Sequence, residues 1–330
     1  MGETLGFRVG IDCRALQSGP AGIATYVRNL LREIPELECL DASWPRNNLL
    51  WNHLRAPWAQ LGRRWKVYHA PSYTAPLFNF CKLVLMVADV SYLVREEWYP
   101  HTIDPLRRRY YQASLFRADR IIVPSDFTRS ELVRLYPALE SRVRRVYLGV
   151  SDRFRKDEAL AYQVRQEFGL PDRFILHVGD IHPRRNLDQL RIACQQMGMP
   201  LVLVGKILRG GESFANHPHH LIGLTLDQLI GVYSAATLLG YPSCYEGFGF
   251  PLLEAMACQL PVVASNRSCI PEICGDAAVL VEPRADALKK GIEAALQRAS
   301  DLVEKGRERA SRFSWQDTAQ ATLEVYRELL

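Results

Sequence analysis

Short apolar runs rich in Val, Ile and Leu alternate along the chain with longer stretches whose apolar residues recur at helical spacing, and the alternation passes through two rounds. The first round opens with a strand at FRVGI, a loop ending in Gly22 and a helix from about Ile23 to Ile34. Further strands are predicted at Val67–His69, Leu83–Val87, Ile121–Val123 and Val143–Tyr147, with helices near Pro105–Phe116 and Phe127–Leu135. The second round places strands at Arg173–Val178, Leu201–Val204, Leu221–Gly223, Leu238–Tyr241, Val262–Ala264 and Val279–Val281, with helices in the gaps. Strands without polar alternation, separated by helices, are those of sheets covered on both faces, so the fold class is α/β with two doubly wound domains. The polar, turn-rich segment Leu148–Glu158 marks the linker, giving domains at 1–150 and 151–312, and a last helix is predicted at Trp315–Leu330.

One stretch departs from the scheme. Trp44, Trp51, Trp58 and Trp65 recur every seven residues, and Leu50, Trp51, Leu54, Trp58 and Leu61 form a helical stripe that Pro57 should interrupt. Such a stripe is expected to be a core face. Stacking on acceptor sugars and contact with a membrane interface are the other uses of aromatics so arranged.

Composition adds compartment and charge. No apolar stretch is long enough to span a bilayer, and the eight cysteines include no C-x-x-C pair, so a reducing cytoplasm is expected, with peripheral contact at the inner face of the membrane as the remaining membrane option. Residues 1–160 carry 24 Lys and Arg against 17 Asp and Glu, while residues 161–330 carry 17 against 19, so the positive charge belongs to the first half. Its arginines are dispersed apart from Arg63, Arg64, Lys66 and Arg107–Arg109, with no interleaved aromatic and basic module, which argues against nucleic acid as a partner.

The candidate chemistry sits in CYEGFGFPLLEAMA, residues 244–257. A strand closing at Tyr241 leads into a glycine-bracketed loop and a helix started by Pro251, which puts Glu246 in the loop and Glu254 in the helix's first turns. Gly247 and Gly249 let a ligand approach the backbone, and the amides of Leu252 and Leu253 are expected to be unpaired at the helix's positive end, where a phosphate binds. The carboxylates can then accept hydrogen bonds from sugar hydroxyls. A second loop, HVGDIHPRRN, sets Arg184 and Arg185 just after a strand, at the edge where parallel sheets bind ligands, and guanidinium forks suit a diphosphate. Lys206, ending LVLVG, either reaches that ligand or caps the sheet. No D-x-D occurs, and His217, His219 and His220 lack the spacing of a metal site, so neither metal nor other cofactor is expected.

These segments resemble the family-four retaining glycosyltransferases. The E-x7-E of Glu246 and Glu254 is similar to that family's motif, and the likeness runs from VGIDCRALQSGPAGIATYVRNLL to FSWQDTAQATLEVYREL. The resemblance implies the GT-B fold, two Rossmann-like domains facing across a cleft, with the acceptor on the first domain, a nucleoside-diphosphate sugar on the second, and residues 313–330 as a helix crossing back to the first. It implies that Arg184 and Arg185 neutralise the leaving diphosphate, where relatives usually carry Arg-Lys. It also assigns Gly22, Leu224, Gly247, Phe248, Gly249, Phe250, Leu252 and Glu254 to the donor, and Glu246 to the sugar ring. Many relatives read His-Asp where this chain has Ala88-Asp89, so Asp89 becomes the candidate that orients or deprotonates the acceptor hydroxyl, with a turn cap as its other reading. Gln259 replaces a common glycine and is disfavoured if φ is positive there. The implied activity is retaining, metal-independent transfer of a hexose, as in mannosyl- or glucosyltransferases, to a hydroxyl of a glycan, glycolipid or small molecule. An epimerase or hydrolase on the same fold, or a silent sugar-nucleotide binder, are the alternatives.

Overall fold

The structure is a computed structural model, and the described residues are 6–18, 21–41, 50–94, 98 and 105–330. Trp44 of the tryptophan series lies outside them. The chain forms two compact units, Met1–Gly149 with Ser314–Leu330, and Val150–Phe313.

The first unit holds a six-stranded parallel sheet, ordered β2-β1-β3-β4-β5-β6. Its strands are β1 (Val9–Asp12), β2 (Leu37–Leu40), β3 (Val67–Ala70), β4 (Lys82–Met86), β5 (Arg120–Val123) and β6 (Val143–Arg145). β1 and β3 are buried along their whole length, as continuous apolar runs require. β2 was not predicted: its LECL carries Glu38, whose carboxylate is taken by Arg8 and by the Trp65 indole at 3.0 Å, partners that its own sequence does not announce. The last helix, Trp315–Arg327, packs on this unit. There Trp315 and Tyr326 are buried, the Tyr326 hydroxyl lies 2.6 Å from His69 Nδ1, and Thr318 donates to the Tyr147 carbonyl at 2.9 Å. The approach is close enough that a Cβ at Gly149 would come within 2.4 Å of the Trp315 nitrogen.

In the first unit one feature was not anticipated and one expectation is corrected. Cys13 and Cys39 are joined by a disulfide, with Cα atoms 5.8 Å apart, because β1 and β2 pair in register and bring together residues distant in sequence. The stripe Leu50–Leu61 does not face the core. A wide π turn over Trp51–Arg55 runs into a helix at Ala56–Arg63, so Pro57 falls just inside a fresh helical start and the run continues past it. Trp51 is buried, but Leu50, Leu54 and Leu61 are exposed and Trp58 is 72% exposed.

The second unit holds another parallel six-stranded sheet, β12-β11-β10-β7-β8-β9. The strands are β7 (Ile175–Val178), β8 (Leu201–Val204), β9 (His220–Leu221), β10 (Leu238–Tyr241), β11 (Val262–Ser265) and β12 (Val279–Val281). Ile175, Leu190, Leu203, Leu238, Val263 and Ile292 are among the residues that build its core between sheet and helices. From β7 the order runs outward to β9 on one side and from β10 to β12 on the other. The topological switch point therefore lies between β7 and β10, where such sheets open a crevice at their C-terminal ends. Among the described residues, no helix is long and apolar enough to cross a membrane.

Candidate active site

Both loops singled out in the sequence leave the sheet at this switch point. After β10 the chain passes through Pro242–Gly249 into a helix at Phe250–Ala257, and after β7 it reaches a single 3₁₀ turn, Pro183–Arg185. The Cys244 amide donates to the Arg184 carbonyl at 2.9 Å, which ties one loop to the other. Glu246 is buried although it is a loop carboxylate. Its Oε1 accepts from Arg185 Nη1 and from the Ser243 hydroxyl, its Oε2 lies 4.0 Å from Arg184 Nη2, and its amide donates to Ser268 Oγ at 2.9 Å. Ser265 in turn donates to the Ser243 carbonyl at 2.5 Å. A buried carboxylate survives only with such pairing.

Charge in this cluster is fixed by its neighbours. Burial works against the Arg185 charge, but the adjacent Glu246 carboxylate and then Tyr241 override it and hold the guanidinium above its ordinary value. Burial, and next the Arg185 charge, push His177 down to about 3, so this imidazole stays neutral. Glu254 lies about one helical turn into Phe250–Ala257. Its carboxyl accepts from the Tyr233 hydroxyl at 2.7 Å, and burial pushes it up to about 7 against the effect of that bond.

The remaining candidates spread along the same edge in strand order. Lys206 follows β8; its side chain is exposed and makes no hydrogen bond among the described residues, while its amide donates to Asp180 Oδ1 at 3.2 Å. Leu224 follows β9, half-buried ahead of the helix at Leu226–Ala235. Gly249 has φ +94°, and a Cβ there would meet the Leu252 side chain at 2.9 Å, so this position needs glycine. The Leu252 amide is not unpaired as expected: it donates to the Gly249 carbonyl at 3.0 Å, because the helix starts at Phe250 rather than at Pro251. Phe248 is buried edge-on against Phe250 and Phe313, a packing position, and Gly247 continues the loop from Glu246. Gln259 does have positive φ, +58°.

Gly22 and Asp89 belong to the first unit. Gly22 is exposed in the first turn of the helix Ala21–Glu33. Asp89 Oδ1 accepts from the amide of Ser91 at 3.0 Å and from its hydroxyl at 2.8 Å, capping the short helix Ser91–Val94. Among the described residues no group of three or more His, Cys, Asp and Glu could hold a metal, and His217 and His220 bond to the Leu201 and Gly205 carbonyls. Sequence reasoning missed Tyr233, His177, Ser243 and the role of Tyr241, whose only signal is a polar tip at the end of an apolar run.

Two Rossmann-like units, the second with an arginine pair and a buried carboxylate at its switch point, define a glycosyltransferase of the GT-B class. The comparisons carry this to a family. Residues 28–154 match the family described as Glycosyltransferase Family 4, and residues 162–313 that described as Glycosyl transferases group 1. The chain is 31% identical to O-antigen chain mannosyltransferase B of Escherichia coli over 298 residues, covering 83% of this chain and 77% of that protein. It is 33% identical over 251 residues to D-inositol 3-phosphate glycosyltransferase of Saccharomonospora viridis, covering 64% and 56%. In fold it is similar to sucrose-phosphate synthase from Thermosynechococcus elongatus, with a TM-score of 0.79 at 20% identity, covering 98% and 99%. The chain belongs to the group 1, family-four glycosyltransferases and is a retaining hexosyltransferase.

Proposed function

We propose that the chain transfers a hexose from a nucleoside-diphosphate sugar to a glycan hydroxyl without a metal ion, holding the diphosphate at Arg184 and Arg185. The observation that carries this reading is the Arg184–Arg185–Glu246 cluster, buried at the switch point of the second sheet. As the bond from the anomeric carbon to the phosphate oxygen breaks, negative charge grows on the diphosphate, and fixed guanidinium groups stabilise it there. The acceptor hydroxyl attacks the face that the leaving group vacates, and its proton passes to the departing phosphate oxygen. Glu246, held by Arg185 and Ser243, is a binding residue for the sugar rather than a nucleophile, and Glu254 accepts from the ribose. The likeness to an O-antigen mannosyltransferase makes GDP-mannose and a lipopolysaccharide-type glycan the first pair to try. The test is incubation with labelled nucleotide sugars in chelator, with and without glycan acceptors. Acceptor-dependent release of nucleotide supports transfer, conversion of donor alone an epimerase or hydrolase, and binding without turnover a silent protein.

The exposed stripe supports a second element, contact with an anionic membrane at the inner face. Leu50, Leu54, Trp58 and Leu61 line one side of the helical run. Phe78, 70% exposed, and Phe80 ride on a loop fastened to that helix by Gln60, which accepts from the Phe80 amide at 2.8 Å and donates to Asn79 at 3.0 Å. Arg64 and Lys66 are exposed at the helix's end. Apolar and aromatic groups beside cations suit an interface of acidic lipid.

A further inference from the structure

Arg185 has two edges, and the protein uses one of them. Nη1 donates to the Tyr241 hydroxyl at 2.6 Å and to Glu246 Oε1. Those two acceptors take both protons of that nitrogen. The other edge, Nε with Nη2, makes no hydrogen bond among the described residues, and Nε is fully buried. A buried donor without an acceptor is costly, and this pair of donors has the spacing that matches two oxygens of a phosphate. Gly179 keeps the surroundings clear: with φ +138°, it places no side chain where a Cβ would come within 3.4 Å of Cζ and of Nη2.

We infer that Tyr241 is a positioning residue for Arg185, fixing its guanidinium so that the Nε–Nη2 edge is presented to the diphosphate while Glu246 occupies the opposite nitrogen. The inference rests on the diphosphate reading above. Tyr241 is itself held. Its ring stacks on His177, with centroids 5.6 Å apart and planes at 20°, and Arg185 Cζ lies 5.6 Å from the Tyr241 centroid, so imidazole, phenol and guanidinium are linked in a series. The His177 ring is pinned in turn by Nδ1–H donating to the Gly240 carbonyl at 3.1 Å, on the strand that carries Tyr241. A neutral base to the series suits it, since a charged imidazole there would repel the guanidinium.

The experiment is calorimetric titration of the wild-type chain and of Tyr241→Phe with UDP, GDP and ADP and with the matching monophosphates. Phenylalanine keeps the ring on His177 and removes only the hydroxyl. The expected result is that the diphosphate the wild type prefers binds about tenfold more weakly to the variant, the size of one lost hydrogen bond to a charged group. The monophosphate should bind equally to both chains, and the melting temperature should hold within about 2 °C. Equal diphosphate affinity in the two chains overturns the inference. So does an equal loss on diphosphate and monophosphate, which would make Tyr241 a packing residue. A wild type that shows no preference for any diphosphate overturns the donor reading itself, and the inference with it, and the wild-type arm tells that failure from the others.

Discussion

The C-terminal edges of the two sheets carry the same kinds of side chain but use them differently. At the second sheet, Glu246 draws its partners from three separate segments: Arg184 and Arg185 after β7, Ser243 on its own loop, and Ser268 after β11. At the first sheet, Asp89 bonds to Ser91 two residues on, and Asp12 is bidentate with Arg14. A carboxylate whose partners come from distant loops fixes those loops in space before any ligand arrives. A bond between residues two apart shapes a local turn. The comparison teaches that the Glu246 cluster ties separate loops of the second unit together, whereas the Asp89–Ser91 and Asp12–Arg14 bonds of the first unit each close a local turn.

The largest expected effect strikes the prebuilt side. Glu246→Gln removes the carboxylate charge from beside two largely buried guanidinium groups, which should destabilise the second unit by about 3 kcal/mol in denaturant unfolding. The same variant should lower turnover by roughly a hundredfold or more, since the arginines lose their fixed placement. A variant that melts and turns over like the wild type would erase the contrast between the edges.

pH gives the next effect. Burial holds the Glu254 carboxyl at about 7, above its ordinary value, so the group is mostly protonated at pH 6 and mostly ionised at pH 8. Only the carboxylate accepts from two ribose hydroxyls, so donor affinity should rise about tenfold from pH 6 to pH 8. The stability term has the opposite sign: the folded state keeps a proton that the unfolded chain releases, so stability falls as pH rises from about 4.5 to about 7. Glu254→Gln should flatten both curves. Tyr233→Phe removes the bond that favours the carboxylate and should move the affinity midpoint upward.

How much of this was open to a reader of the sequence follows from where each partner lies. β8, β10 and β12 were legible residue for residue, because each is a short, largely apolar run between turns. β2 was not, because Glu38 and Cys39 look polar until Arg8, Trp65 and Cys13 are brought beside them. Glu246 and Arg185 were legible from glycines and from their position after strands. Tyr241 and Tyr233 were not, since a tyrosine in an apolar stretch reads as core and the acceptor or donor of its hydroxyl belongs to another loop. The Leu252 amide was misjudged by the one-residue shift of the helix start. The Leu50–Leu61 stripe shows the limit of periodicity, which finds an apolar face without saying whether protein or something else covers it.

Smaller effects refine the first unit. Trp58→Ala should weaken binding to vesicles of mixed neutral and anionic lipid about fivefold, and reversing the charge of Arg63 and Arg64 should act in the same direction, most at low salt. Co-sedimentation measures both, and equal binding by all the variants would remove the membrane reading. Smallest of all, Asp89→Asn keeps an acceptor for the Ser91 amide, so turnover should stay within about threefold and stability within about 1 kcal/mol. A loss beyond a hundredfold would make the first edge a catalytic site as well.

The most direct test of the diphosphate site is titration of nucleoside-diphosphate sugars into the wild-type chain and into the double variant Arg184→Ala, Arg185→Ala, with chelator present and folding checked by circular dichroism. The account predicts that the wild type binds at least one donor and that the double variant binds it at least about a hundredfold more weakly, two charge-assisted contacts being lost. A folded double variant that binds the same donor as tightly as the wild type would contradict it.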